Sequence, residues 1–460
     1  MFLFPLVYLF SFLYACRELF AKRPAGILLF IVVGLPFYIT SLSVLHLYGL
    51  DILVPFFQYT KEGIVIASLA FIIYQLPTPP LLNWLDKLMM LFFLYVGSYI
   101  LLPLGSFGIF EKVVAFKNIC FFPLLYFIGR LLTIHEIWIS KVQKSILLVA
   151  VAAGIVLVGE LLLNTHLQQF TGYASFYEKY FSFDPAGNYG LSWTFEIEGG
   201  IKRFASFFAN PLELAASTLV TGPVLLALFL GGTYQSDRRL FYFASAAVGL
   251  SIVFALSRAS LLSLILIVYL FFLLTGRRTI IRVFHLLALL FCVGLLYMTF
   301  NNSIVEFILA TISFSDSSSL SHLLEWVAGI EAMAAHPFGM GLGESGRVAG
   351  ALGLNVGGEN QFIILGVQCG VLPMLLYIFI IAVSIYMSAV LFKRSTGKAQ
   401  QIALIVLLVR VGLIIPSLTA AVESYLYICY VSWLFTGVMS TAWSALHQAQ
   451  PVASESSHTK

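Results

Sequence analysis

The chain has 460 residues, 60% of them hydrophobic and only 10% charged, with a formal net charge of +4. A soluble domain carries about 25% charged residues, so the composition excludes an ordinary soluble protein, and the small net charge does not suggest a nucleic-acid binder. The apolar residues form unbroken runs rather than alternating with polar ones, which excludes a β-barrel and leaves helices that cross a bilayer at about 20 residues each.

In chain order, spans are predicted near 2–16, 25–48, 63–78, 88–104, 114–133, 145–163, 211–231, 240–256, 260–275, 283–300, 362–392, 402–418 and 425–443. The fold class is therefore all-α: a polytopic membrane protein of about 12–13 transmembrane helices, a single integral membrane domain over 1–460. The first run lacks a basic leader and a small-residue cleavage site, so it reads as a retained helix rather than a signal peptide. The run 362–392 is long enough to contain an interfacial turn before its true span. Cys16, Cys120, Cys292, Cys369 and Cys429 stand singly in apolar stretches and read as small hydrophobes, not as metal ligands or a disulfide framework.

Sixteen of the 25 lysines and arginines fall on one side of this arrangement, which the positive-inside bias makes cytoplasmic. The polar tail 448–460 lies there and is predicted to be disordered. The opposite side carries two long loops, 164–210 and 301–361, which hold most of the polar chemistry. A working site is expected on that extracytoplasmic face.

Nine cations escape the bias: Lys61, Lys112, Lys117, Lys179, Lys202, Arg203, Arg258, Arg347 and Arg410. Arg203 lies where the first long loop re-enters the membrane, Arg258 in a short outer turn (Ser257, Arg258, Ala259, Ser260), and Lys117 at the start of a span. Guanidinium groups offer a planar fork suited to phosphate oxygens, so a cluster here suits the pyrophosphate of a lipid carrier. Snorkelling to lipid headgroups explains any one of them equally well. Arg410 lies in mid-span, where a charge costs about 2.5 kcal/mol or more. It needs a partner, for which Glu160 and Glu423 are the candidates.

In the second loop Leu323, Trp326, Val327, Ile330 and Met333 recur at helical spacing, predicting an amphipathic helix on the membrane surface with Ser321 as N-cap. Pro337 follows, then Gly339, Gly341 and Gly343, a turn whose amides suit an anion. Glu359, beside Asn360 and Gln361, falls where the chain enters the membrane. Partial desolvation there raises a carboxyl pKa and suits a general base; helix capping is the plainer role.

Three segments together resemble the O-antigen polymerase and O-antigen ligase family, over roughly residues 110–390. They are Arg203 followed by Asn210 and Pro211; the Ser257–Ser260 turn around Arg258; and Trp326, His336, Pro337, Gly339, Gly341 and Gly343, followed by Glu359, Asn360, Gln361, Phe362, Gly366 and Gly370. Two positions depart from that pattern. His322 stands where the family commonly has Arg, and Glu359-Asn360 replaces the His-Asn pair common in ligases, which favours a polymerase.

The resemblance implies an all-helical, GT-C-like glycosyltransferase in the bacterial inner membrane. It would be multi-pass with its site facing the periplasm, and would join undecaprenyl-pyrophosphate-linked repeat units of O-antigen or exopolysaccharide without a metal or other cofactor. Arg203 and Arg258, with Lys117 and Arg347, would hold the pyrophosphate. Glu359 would be the catalytic base, with His322 in reserve. Glu196, Glu198, Trp326 and Asn360 would meet the sugars or the acceptor, as would the loop aromatics Tyr173, Phe176, Tyr177, Tyr180, Tyr189 and Trp193. The implied partners are the lipid-linked glycan, membrane lipid and a chain-length regulator, with no nucleic acid. The alternatives are a ligase acting on lipid A-core and a flippase or transporter of a lipid-linked or anionic substrate.

Overall fold

The computed structural model of the protein describes residues 1–78, 80–132, 136–182, 185–197, 199–298, 317–350 and 356–448. Apart from one two-residue hairpin, the regular structure in these residues is helical, as apolar runs without backbone partners in lipid require. Among the described residues eight helices are long and apolar enough to cross a membrane. They are α1 (Leu3–Phe20), α2 (Pro24–Leu47), α3 (Asp51–Gln75), α7 (Trp138–Leu163), α9 (Pro211–Leu230), α15 (Val371–Arg394), α16 (Gly397–Thr419) and α17 (Leu426–His447). A ninth span is formed if α5 (Ile109–Cys120) and α6 (Phe122–Leu131), bent by 49°, act as one. Pro123 causes that bend: it has no N–H to donate and its ring crowds the preceding turn.

Other predicted spans appear as shorter helices: α4 (Trp84–Ser98), α10 (Arg238–Phe254) and α11 (Arg258–Leu274). After them comes α12 (Arg278–Met298). α2 is not a regular helix. A π segment (Phe30–Gly34) and a 3-10 turn (Leu35–Phe37) interrupt it before Pro36 can break it outright. It is buried over 89% of its most apolar stretch, so protein rather than lipid surrounds it. α6 and α17 touch backbone to backbone through Gly129 and Gly437; a Cβ on Gly129 would lie 3.0 Å from the Leu434 carbonyl carbon.

Arg410 on α16 is buried. Its guanidinium stacks 3.4 Å from the Trp433 ring centroid and donates to Thr436 Oγ1 at 2.9 Å. Trp433 Nε1 in turn donates to Glu423 at 2.9 and 3.0 Å. Of the two partners the sequence offered, Glu423 is the one that faces Arg410. Glu160 is occupied elsewhere. Its carboxylate, near the outer end of α7, accepts from the amides of Leu167 at 2.8 Å and Ser206 at 2.9 Å.

Those two bonds fasten the first long loop. Its returning strand is held further by Gln168 Nε2 on the carbonyls of Ser206 and Phe208, and by Thr40 Oγ1 on Phe207. The loop contains α8 (Tyr173–Phe181) and the hairpin β1 (Glu196–Ile197) with β2 (Ile201–Lys202), paired antiparallel. Lys179 and Tyr180 of α8 bind Asp51 at 2.9 and 3.0 Å, tying α8 to the top of α3.

His166, near the start of this loop, is fully buried, its ring against Tyr189, Phe195 and Phe204 at 5.3, 5.6 and 5.1 Å. Neither ring nitrogen has a hydrogen-bond partner among the described residues. Burial, with Lys202 nearby and against the pull of Glu196, lowers its pKa to about 4 from 6.5. The unfolded loop therefore takes up a proton that the packed ring refuses, and the docked loop loses stability as pH falls from 6.5 toward 4. Limited proteolysis within 165–205 is expected to be faster at about pH 5 than at neutral pH, and His166→Phe should remove that difference.

In the second long loop α13 (Ser317–Ala335) begins four residues before the predicted cap, so Ser321 lies inside the helix. The predicted apolar stripe is wider than one face. Trp326 and Met333 turn inward onto Ile363 and Val367, while Val327 and Ile330 are 46% and 55% exposed. The run 362–392 breaks at Gly370 into the short buried helix α14 (Gln361–Cys369) and α15.

Candidate functional site

Arg203 and Arg258 come together because the first loop docks on the turn between α10 and α11. The Phe204 amide donates to the Phe254 carbonyl at 3.1 Å, and Arg203 Nε donates to Ala255 at 3.0 Å. Arg203 thereby fixes its guanidinium on the turn that carries Arg258 three residues later. Ser257 caps α11 by accepting from the Ser260 amide. Both turns contain a non-glycine residue in the left-handed region, Ser206 at φ +53° and Leu256 at φ +48°, a conformation that costs about 1–3 kcal/mol and is kept where surrounding structure demands it. Arg203 is half-buried and Arg258 exposed. Burial lowers the Arg203 pKa to about 10; Tyr425 opposes the shift and Arg258 adds to it. The group stays charged at neutral pH, and its charge is felt by that of Arg258.

Tyr425, buried in the connection between α16 and α17, is the centre of the site. Its hydroxyl pKa is raised by burial and by Glu359 and Glu213, and is held back by Arg203. The tyrosine thus lies within electrostatic reach of Arg203 and of the candidate base. Glu213, in the first turn of α9, also accepts from the Ala209 amide at 3.3 Å, under the Asn210 cap of that helix. Neither Tyr425 nor Glu213 stands out in the sequence.

Glu359 is exposed to solvent yet crowded by protein on most sides. Burial raises its pKa; His322 opposes this and Glu325 reinforces it. His322 Nδ1 lies 3.7 Å from Glu325 Oε2, too far for a hydrogen bond. The Glu325 carboxylate packs on Gly358. α13 approaches this closely because Gly329 meets Gly357: a Cβ on Gly329 would lie 2.8 Å from the Gly357 Cα. Asn360 caps α14, its side chain accepting from Phe362 and Ile363 at 3.0 and 3.2 Å.

Other candidates lie apart from this group. Lys117 pairs with Glu62 at 3.0 Å, and Glu62 also binds Lys61 at 2.9 Å. Both Glu196 oxygens accept from Asn188, at 2.8 Å each, inside the first loop. Trp326 packs between α13 and α14. Glu198 and the side chain of Arg347 lie outside the described residues. The loop aromatics pack largely on one another, Tyr173 on Tyr177 at 4.2 Å and Phe176 on Tyr180 at 5.1 Å, while Trp193 stays 59% exposed.

The glycine turn is not an open anion cradle. Its amides serve the end of α14: Met340 donates to Val367 at 2.8 Å, Gly341 to Gln368 at 3.0 Å, and Gly343 to Gln368 Oε1 at 2.9 Å. Gly339 (φ +86°) and Gly341 (φ +122°) each run against other backbone; a Cβ on either would lie 2.6 Å from a carbonyl oxygen, of Gln368 and Leu104 respectively.

Among the described residues no group of three or more His, Cys, Asp or Glu could hold a metal ion. The site brings together cationic Arg203 and Arg258, a carboxylate with a raised pKa, and a buried tyrosine within electrostatic reach of Arg203 and that carboxylate. No family model and no curated protein matches this chain.

Proposed function

We propose that this protein is a polymerase of undecaprenyl-pyrophosphate-linked oligosaccharide repeat units, a GT-C-like enzyme of about 12–13 spans working on the periplasmic face of the bacterial inner membrane. The observation that carries the reading is the bond of Arg203 to Ala255, on the turn that carries Arg258, with Tyr425 in electrostatic reach of both Arg203 and Glu359. Glycosyl transfer from a lipid pyrophosphate needs two things: positive charge where the leaving group departs and a base where the acceptor attacks.

In the proposed step an acceptor hydroxyl oxygen attacks the anomeric carbon while the bond from that carbon to the pyrophosphate oxygen breaks. The bonding pair leaves with the lipid pyrophosphate, whose charge Arg203 and Arg258 stabilise. The hydroxyl proton passes to the Glu359 carboxylate and then to solvent. Attack opposite the leaving group inverts the anomeric centre.

The test is to incubate purified protein with a lipid-pyrophosphate-linked repeat unit and resolve products by mass spectrometry. A ladder of joined repeats supports the polymerase. Transfer only when lipid A-core is supplied replaces it with a ligase, and no transfer by folded protein removes the glycosyltransferase reading. Glu359 adds a pH signature. Because burial raises its pKa, it is deprotonated only at higher pH than an ordinary carboxylate. The rate is expected to rise with pH through that elevated value, and Glu359→Gln should abolish the rise along with most activity.

A further inference from the structure

A second feature borders residues 421–424, just before Tyr425 in the chain. A cleft opens between α5, residues 345–348, α14 and residues 421–424, with an interior of about 30 Å³. That is room for one or two water-sized groups, so it grips the edge of a larger ligand. No charged residue lines it among the described residues. Its walls combine aliphatic surface from Ile119 and Ile364 with the amides and hydroxyl of Asn118, Gln361 and Ser424.

Some of its polar groups are already engaged. Gln368 uses its whole amide on Gly343 and Ser345, so it is wall rather than ligand. Gln361, buried, accepts from the Glu423 amide at 3.3 Å through Oε1, and its Nε2 donates to nothing among the described residues. The Asn118 amide has no hydrogen bond there either. Ser424 donates to Ala421 at 2.6 Å and keeps its lone pairs. Neutral donors and acceptors beside aliphatic carbon suit a sugar edge, with its C–H surface on the apolar wall and its hydroxyls replacing water on the amides. Among the described residues the lining supplies no cation for a phosphate. Position adds to composition: Gln361 is two residues from Glu359, and Ser424 precedes Tyr425.

We propose that this cleft binds an uncharged sugar of the acceptor glycan and so presents its hydroxyl toward Glu359. The proposal rests on the polymerase reading above and adds the acceptor subsite to it.

The test uses the free oligosaccharide released by mild acid from lipid-linked repeats in membranes of cells lacking the protein. Its binding to the full chain in lipid nanodiscs, free of sugar detergents, is followed by saturation-transfer NMR. Asn118→Leu and Gln361→Met, both near-isosteric, are expected to weaken binding at least 5-fold and to raise the acceptor KM by a similar factor; Asn118→Leu should leave thermal unfolding unchanged, whereas Gln361→Met also loses the bond from the Glu423 amide and should unfold at a somewhat lower temperature. Arg203→Ala should bind the oligosaccharide as the wild type does while failing to turn over. Wild-type affinity in both cleft variants overturns the cleft assignment and leaves the polymerase reading standing. If no lipid-linked saccharide accumulates without the protein, the polymerase reading falls and takes the subsite with it.

Discussion

Arg203→Ala is expected to lower single-turnover glycosyl transfer by about 10²–10³-fold, the usual cost of removing a preorganised donor from a developing negative charge. The size follows from its setting. Arg203 is half-buried and held on Ala255 by its Nε, so its charge acts through protein rather than through bulk water. Arg203→Lys should recover only part of the loss, because an ammonium keeps the charge but not the planar fork. Arg258 is exposed, so water screens it, and Arg258→Ala should cost about 10-fold. Equal effects at the two positions would mean that burial does not set their roles. An unchanged rate in Arg203→Ala would remove the pyrophosphate assignment.

Glu423→Ala is expected to have the largest effect on stability. Its carboxylate accepts from Tyr377 at 2.5 Å, Cys429 at 2.9 Å and Trp433 at 2.9 Å, and it is the carboxylate facing buried Arg410. Alanine leaves those donors without an acceptor, at about 1–3 kcal/mol for each one stranded, and removes the negative charge that Arg410 feels through the Trp433 ring. The folded yield and the unfolding temperature in detergent should both fall sharply. Glu423→Gln, which keeps an acceptor oxygen, should fall between. The double change Glu423→Ala with Arg410→Leu should recover part of the loss, since it removes the stranded charge. No recovery would show that the hydrogen bonds, not the charge, hold these helices together.

The membrane character was legible because apolar runs of span length have few other uses. Arg203, Arg258, His322 and Glu359 could be chosen because a cation on the disfavoured side, or a carboxylate at the membrane boundary, is conspicuous against an apolar chain. What brings them together was not legible. Tyr425 lies between the last two spans and reads as one more aromatic, and its electrostatic coupling to Arg203 and Glu359 joins segments far apart in sequence. Glu213 reads as a helix-start residue, which it also is. Lys117 reads as equivalent to the arginines, since a sequence does not say that Glu62, on a distant helix, faces it. The helix lengths also differed: several apolar runs end in turns that leave α4, α10 and α11 shorter than a full crossing.

The glycine turn at 339–343 bears on how variation in this chain should be interpreted. Gly339 and Gly341 combine positive φ with backbone at 2.6 Å from where a side chain would start, so neither tolerates even alanine without rearrangement. In a scan of all single substitutions scored by cell phenotype, these positions will be as unforgiving as Arg203, and the pattern will resemble an active-site motif. Scoring membrane abundance alongside phenotype separates the two: the glycine variants disappear from the membrane, whereas the Arg203 variants accumulate there inactive.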